Sequence, residues 1–166
     1  MARKNTSRTP GGTPATDALI DAGITYTALE YTHRDDATDF GAEVVRETGR
    51  DAAQVFKTLI VSAGGRELAC AVVPVAGHLD LKAMAVALGV KKTEMAEPAV
   101  AERSTGYVVG GVSPVGQKHE LPTVIDETAQ LFDTVVVSGG RRGLQVELAP
   151  DDLAGITQAT FAPIGR

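Results

Sequence analysis

The sequence predicts an α+β fold of one domain, and three observations carry that expectation. Apolar runs with strand-like alternation are mixed with stretches bounded by helix-capping residues. Two pairs of those runs meet across glycine doublets, a hairpin signal. No regular strand-helix alternation of the kind that builds a parallel sheet runs through the chain, so a mixed, mostly antiparallel sheet flanked by helices is expected. The 166 residues fit one domain; at about 150 residues folding buries roughly 68–70% of the unfolded surface, enough for an ordinary core. That domain is expected over 13–166, behind a disordered basic tail at 1–12 that carries Arg3, Lys4 and Arg8.

Thr13 and Pro14 supply an N-cap and a first helical position, Leu19 and Ile20 an apolar stripe and Gly23 a stop, so the domain opens on a helix. A strand over 24–31 and a helix over 43–48, ended by Gly49, come next. Strands over 55–62 and 68–74 pair across Gly64-Gly65. Asp80 caps a helix that runs to Leu88 and stops at Gly89. A short strand over 93–95 precedes a helix begun by Glu97-Pro98 that ends before Gly106. Strands are expected over 123–125, 134–138 and 144–148, the last two joined through Gly139-Gly140, and Pro150-Asp151-Asp152 starts a final helix.

Composition removes several function classes. The lone cysteine, Cys70, excludes an internal disulfide, and its setting in Leu68-Ala69-Cys70-Ala71-Val72-Val73 marks it as core, not a reactive thiol. A net charge of -5 opposes strong autonomous binding to nucleic acid, because Lys and Arg neutralising phosphates supply most of that affinity. The basic points are short: Lys91-Lys92, Lys118-His119 and Arg141-Arg142, against an acidic stretch over 17–51. No apolar stretch follows the basic N-terminus, so neither a signal-peptide core nor a membrane span is expected and the cytoplasm is the expected location. The three histidines, His33, His78 and His119, are scattered and no ligand spacing recurs; no metal or other cofactor is expected.

Two features carry candidate chemistry. The segment 104–117, Ser-Thr-Gly-Tyr-Val-Val-Gly-Gly-Val-Ser-Pro-Val-Gly-Gln, is punctuated by Gly106, Gly110, Gly111 and Gly116, which let a ligand approach bare backbone N–H and C=O groups. It is not a P-loop: Gln117 intervenes before Lys118, His119 stands where the hydroxyl residue belongs, and Leu121-Pro122 follows in place of a helix. In Val55-Phe56-Lys57-Thr58-Leu59-Ile60-Val61, alternation puts Lys57 on the face of Val55, Leu59 and Val61. Pattern alone leaves two readings of that lysine, an ammonium snorkelling to water and a cation at a pocket mouth. No Ser, His or Cys constellation stands beside the glycine segment, so chemistry there rests on positioning and electrostatics.

Taken together, Val55-Phe56-Lys57-Thr58-Leu59, Lys91-Lys92 with Glu94-Met95-Ala96, Arg103-Ser104-Thr105-Gly106-Tyr107 through Gly116-Gln117-Lys118, and Val137-Ser138-Gly139-Gly140-Arg141-Arg142-Gly143-Leu144 resemble the YbaK/EbsC family. This family comprises free-standing relatives of the editing domain inserted in bacterial prolyl-tRNA synthetases, and its YbaK members are Cys-tRNA(Pro) deacylases. The resemblance covers 14–162 and implies the fold of that editing domain, including a barrel-like core. It places the family's key lysine on Lys57 and its Gly-x-x-x-Pro loop on Gly110-Gly111-Val112-Ser113-Pro114, with Lys57 and Gly110 as catalytic candidates. Tyr31 matches a family tyrosine, and Thr58 and Ser138 match small hydroxyl positions lining the pocket; with Gly111, Ser113 and Pro114 these are the substrate-binding candidates. Residues 32–40 depart from the family's His-Asp-Pro-like pattern.

The resemblance implies trans-editing of Cys-tRNA(Pro), and of Cys-tRNA(Cys) as a second substrate, by cyclisation of the substrate's own thiol without a protein nucleophile. Alternatives are an Ala-tRNA(Pro) preference and a non-catalytic module binding a nucleotide or RNA 3′ end. The three histidines are general-base candidates by residue type only. An acidic protein holding tRNA weakly gains affinity from a synthetase already bound to that tRNA, so prolyl-tRNA synthetase is the expected, transient partner of a monomer.

Overall fold

The computed structural model describes residues 12–166, so all of the expected tail except Gly12 lies outside the described residues. Five helices, α1 (Pro14–Asp21), α2 (Phe40–Thr48), α3 (Leu81–Leu88), α4 (Pro98–Thr105) and α5 (Pro150–Thr157), surround eight strands. The strands are β1 (Thr27–Glu30), β2 (Phe56–Ser62), β3 (Leu68–Pro74), β4 (Glu94–Met95), β5 (Thr123–Asp126), β6 (Val135–Arg141), β7 (Leu144–Leu148) and β8 (Thr160–Ala162). They form a five-stranded sheet ordered β4-β2-β3-β5-β8 and a three-stranded sheet ordered β1-β7-β6. Four pairings are antiparallel, and β5 lies parallel to both β3 and β8. A single parallel bridge, Val55 to Val136, joins the sheets at one corner, giving a partly closed barrel. The expected mixed, mostly antiparallel α+β domain is what the chain forms.

Alternation along β3 explains the layers. Cys70 and Val72 face the space between the sheets with Phe56, Ile60, Ile125, Val137 and Val146. Ala69, Ala71 and Val73 face the other way, onto Met84 of α3 and Ile164. A strand covered on both faces reads as an unbroken apolar run, and that is how 68–74 reads. On the small sheet Val44 of α2 packs with Val55 and Val136, next to Tyr31. Each fully buried valine or leucine contributes about 1.5–3 kcal/mol through burial alone.

Local chemistry sets the ends. Thr13 and Thr16 make a reciprocal capping box at α1. Helix α2 starts at Phe40, ahead of the expected 43, because the Asp39 carboxylate accepts from the Ala42 N–H at 3.0 Å and caps it there. The expected strand over 24–31 shortens to Thr27–Glu30.

Gly139-Gly140 is not the hairpin turn. Strand β6 runs through both glycines to Arg141 with a bulge between Ser138 and Arg141, and the chain reverses at Arg142-Gly143. The doublet answers a packing demand: a Cβ on Gly140 would lie 2.9 Å from the Tyr107 ring, and one on Gly139 2.7 Å from Leu144. Sequence reading also missed β8 and a 3-10 turn at Glu127–Leu131. The buried Asp126 carboxylate organises both, accepting from the N–H groups of Thr128, Ile164 and Gly165.

Candidate functional site

Strand β2 has an open edge. It pairs with β4 only at Val61 and Ser62 and bridges to β6 only at Val55. The Val75 N–H donates to the Val55 carbonyl toward β3, whereas the Ile60 carbonyl accepts from Ala96 on the other side. Antiparallel alternation therefore turns the N–H and C=O of Thr58 to the open edge. There the sheets part to leave a cleft of about 550 Å³, lined by Lys57, Thr58, Phe40, Gly110, Ser138 and Gln145 among others.

The lining is mostly apolar, with a few polar groups converging. The Thr58 hydroxyl is buried and has no hydrogen-bond partner among the described residues. Leaving such a group unsatisfied costs about 1–3 kcal/mol, a cost that a ligand's polar atom removes. Lys57 is half-buried and donates to the Gly77 carbonyl at 3.0 Å, with no carboxylate paired to it among the described residues. Lys57 lines the cleft, and its ammonium is tethered by one of its three N–H bonds to a carbonyl outside the lining. The Ser138 hydroxyl accepts from the Gly140 N–H at 3.1 Å, and neither histidine nor cysteine lines the cleft to act as its base.

Opposite β2 the glycine segment is held from several sides. Its ends are tied by Tyr107, whose hydroxyl donates to the Val115 carbonyl at 2.7 Å. Val108 to Gly111 form a tight turn closed by the Gly111 N–H on the Val108 carbonyl at 2.8 Å, with Gly110 at φ +87° in the left-handed position that a type II turn gives to glycine. The Glu102 carboxylate of α4 accepts from the Val109 N–H at 2.9 Å. Arg142, at the β6–β7 turn, forks onto the Val109 carbonyl at 2.9 and 2.6 Å. Its guanidinium lies 5.0 Å over the Phe40 ring.

Of the residues singled out from sequence, Lys57, Thr58, Gly110 and Ser138 come together at this cleft. Gly111 is buried against Arg141, and a Cβ there would lie 2.9 Å from the Arg141 Cα; its N–H is spent on the turn. Ser113 is fully buried, its hydroxyl accepting from the Val115 N–H. Pro114 lines a separate cavity of about 90 Å³. Tyr31 stands behind the cleft, packed on Val44, Val55 and Val136, with its hydroxyl hydrogen-bonded to Gln145, which does line the cleft. Burial pushes the Tyr31 phenol above its ordinary value, so it stays neutral.

Phe40, Gln145 and Arg142 were not singled out as site residues. Phe40 lay in the stretch departing from the family pattern, and Arg142 read only as half of a basic doublet. Their meeting at the cleft depends on how α2, β7 and the β6–β7 turn pack together, which no local signal gives. The rim near Phe40 holds His33, whose Nδ1 is 2.8 Å from Oε1 of the buried Glu43, the other carboxylate oxygen accepting from the Arg34 N–H. Burial acts to raise the Glu43 carboxyl, but the Arg34 N–H, the His33 ring and the Arg46 charge outweigh it and hold it below the ordinary value. Cys70 is fully buried and its thiol is pushed up to about 12 by that burial, as its core reading requires. Among the described residues no group of three metal-ligating side chains occurs, and no helix is long and apolar enough to cross a membrane.

The model of the "Aminoacyl-tRNA editing domain" family matches residues 35–156. The chain is 37% identical over 165 residues, 99% of its length and 98% of the other, to the "Putative Cys-tRNA(Pro)/Cys-tRNA(Cys) deacylase EbsC" of Enterococcus faecalis. It is 36% identical over 104 residues to a proline–tRNA ligase of Geobacter metallireducens, 61% of this chain but only 17% of that protein. A solved structure described as a "putative trans-editing enzyme for prolyl tRNA synthetase" shares the fold with a TM-score of 0.80 at 24% identity, over 96% of this chain and 99% of that one. A second, "hypothetical protein APE2540", gives 0.82 at 25% identity over 93% and 100%.

Proposed function

The chain belongs to the aminoacyl-tRNA editing domain family, and on that premise we propose that it is a trans-acting deacylase that removes cysteine from Cys-tRNA(Pro). The observation that carries this reading is a cleft lined by Lys57, by Thr58 with its unsatisfied hydroxyl and by Gly110, with no nucleophile paired to a base among the described residues that line it. The substrate supplies the nucleophile. Its thiolate attacks its own ester carbonyl, a C–S bond forms and the bond from carbonyl carbon to ribose oxygen breaks. The thiol proton ends on that ribose oxygen, and tRNA leaves with a free hydroxyl beside a four-membered cysteine thiolactone, which water opens in solution.

Each cleft residue has a role in that step. Lys57 favours the thiolate: an unperturbed thiol has a pKa near 8.5, leaving a few per cent ionised at neutral pH, and a nearby ammonium raises that fraction. The Gly110 N–H donates to the carbonyl oxygen as charge builds on it, and one such donor is worth about 10²–10³ in rate. Thr58, through its hydroxyl and its open-edge carbonyl, takes the substrate's α-amino group. Holding the thiol against the carbonyl contributes through effective molarity. Tyr31 supports Gln145 from behind, and Ser113 and Pro114 shape the loop. The protein acts in the cytoplasm as a monomer and borrows tRNA affinity from a transient complex with prolyl-tRNA synthetase.

Incubation with Cys-tRNA(Pro), Ala-tRNA(Pro) and Pro-tRNA(Pro) tests the proposal. Release of cysteine is expected to exceed that of alanine and proline at least tenfold, and Lys57→Ala is expected to lose turnover while uncharged tRNA still binds. A preference for alanine overturns the cysteine assignment. Inertness toward all three, with binding that depends on Lys57, replaces the enzyme with an RNA-end binding module.

A further inference from the structure

Val109 is gripped on both of its flanking peptides by charged side chains from distant elements. Glu102 of α4 takes the Val109 N–H, and Arg142, at the β6–β7 turn, takes the Val109 carbonyl with two guanidinium nitrogens. A trans peptide is planar, with its N–H opposite its C=O. Fixing the Val109 carbonyl toward Arg142 therefore fixes the Gly110 N–H on the opposite side of the same plane. No described residue accepts from that N–H, and Gly110 lines the cleft. The guanidinium is itself immobilised by the Phe40 ring, another cleft residue. The crowding is tight, because a Cβ on Gly110 would sit 2.8 Å from both Arg142 Nε and the Phe40 ring.

We infer that Arg142 is a positioning residue: stacked on Phe40 and forked onto the Val109 carbonyl, it orients the Val109–Gly110 peptide so that the Gly110 N–H meets the developing oxyanion. Glu102 braces the preceding peptide and keeps Val109 from rotating out of the fork. The inference rests on the deacylase reading for its catalytic consequence, but the clamp itself is a property of the loop. A lysine at 142 keeps the charge yet loses the planar fork and the stacking geometry, which separates orientation from simple attraction of tRNA phosphates.

Single-turnover deacylation and amide hydrogen exchange on wild type, Arg142→Lys and Arg142→Ala test it together. Arg142→Lys is expected to keep KM and uncharged-tRNA Kd within about threefold, and both variants are expected to lose kcat, by roughly tenfold for lysine and up to about a hundredfold for alanine, the scale of one oxyanion donor. Exchange of the Gly111 N–H, which closes the turn on Val108, is expected to quicken at least tenfold in Arg142→Ala while β3 amides hold their protection. Wild-type kcat in Arg142→Lys, or a loss confined to KM in both variants, overturns the positioning role. Unchanged Gly111 exchange in Arg142→Ala overturns the clamp whether or not the protein deacylates tRNA. An inert wild type with quickened Gly111 exchange leaves the clamp supported and sinks the deacylase reading instead.

Discussion

At the scale of single residues, Thr58 separates function from stability. Its hydroxyl is buried without a partner on the protein, so Thr58→Val, which keeps the shape and removes the orphan, is expected to leave stability unchanged or raise it by about 1–2 kcal/mol. Deacylation should fall at the same time. Denaturant unfolding alongside turnover checks this, and a destabilised variant would show that the hydroxyl has a protein partner. Cys70 makes the opposite case: its thiol, pushed up to about 12 by complete burial, is expected to resist thiol reagents in the native protein and react only on unfolding. The burial of Cys70 was legible because it sits in an unbroken apolar run, and the strand face of Lys57 because side chains alternate. The orphan state of Thr58 was not, since it depends on which edge of β2 stays open.

At the scale of elements, glycines carry two different demands that the sequence writes with one letter. Gly23 and Gly116 have nearly equal φ values, +70° and +71°, but a Cβ meets nothing within 4 Å at Gly23 and lies 2.6 Å from the Pro14 carbonyl oxygen at Gly116. Gly23→Ala is expected to cost about 1 kcal/mol for the left-handed backbone alone, and Gly116→Ala several times that, because α1 must move. Equal costs by thermal unfolding would contradict the packing role of the loop. The same ambiguity hid the bulge at Gly139-Gly140: two glycines between apolar runs read as a turn, yet they accommodate Thr13 and Tyr107 from elsewhere in the chain. Helix caps were more legible, because Thr13 and Asp80 act on N–H groups within three residues of themselves.

At the scale of the molecule, two carboxylates, Glu147 across a long-range pair and Glu43 against the loop before its helix, are expected to set the acid limit of stability. Arg50 holds Glu147 of β7 with two bonds, at 2.8 and 3.2 Å, and that pairing lowers the Glu147 carboxyl despite partial burial. Glu43 is lowered as well, its contacts outweighing burial. For both groups the unfolded chain binds protons first as pH falls. Their stabilisation is therefore complete above the ordinary value of about 4.5 and is lost as pH drops through the lower folded values. Thermal unfolding against pH is expected to show a flatter acid limb below the ordinary carboxyl value when both are changed to glutamine; an unchanged slope would assign the limb to other groups.

The fold class was legible at this scale because hairpins, caps and apolar alternation are local. The barrel-like core came only through the family resemblance and not from local pattern, since its closure depends on one bridge between Val55 and Val136 and on the parallel strand β8. Net charge had a similar reach: at -5 the protein should bind tRNA weakly unless the synthetase shares the load. All of these features converge on one central claim, that the cleft positions an aminoacyl ester and the substrate's sulfur performs the attack. The most direct measurement compares single-turnover deacylation of tRNA(Pro) carrying cysteine with the same tRNA carrying serine, which replaces sulfur by oxygen at the same position. A rate at least a hundredfold slower for serine is the expected result, and equal rates would contradict the account.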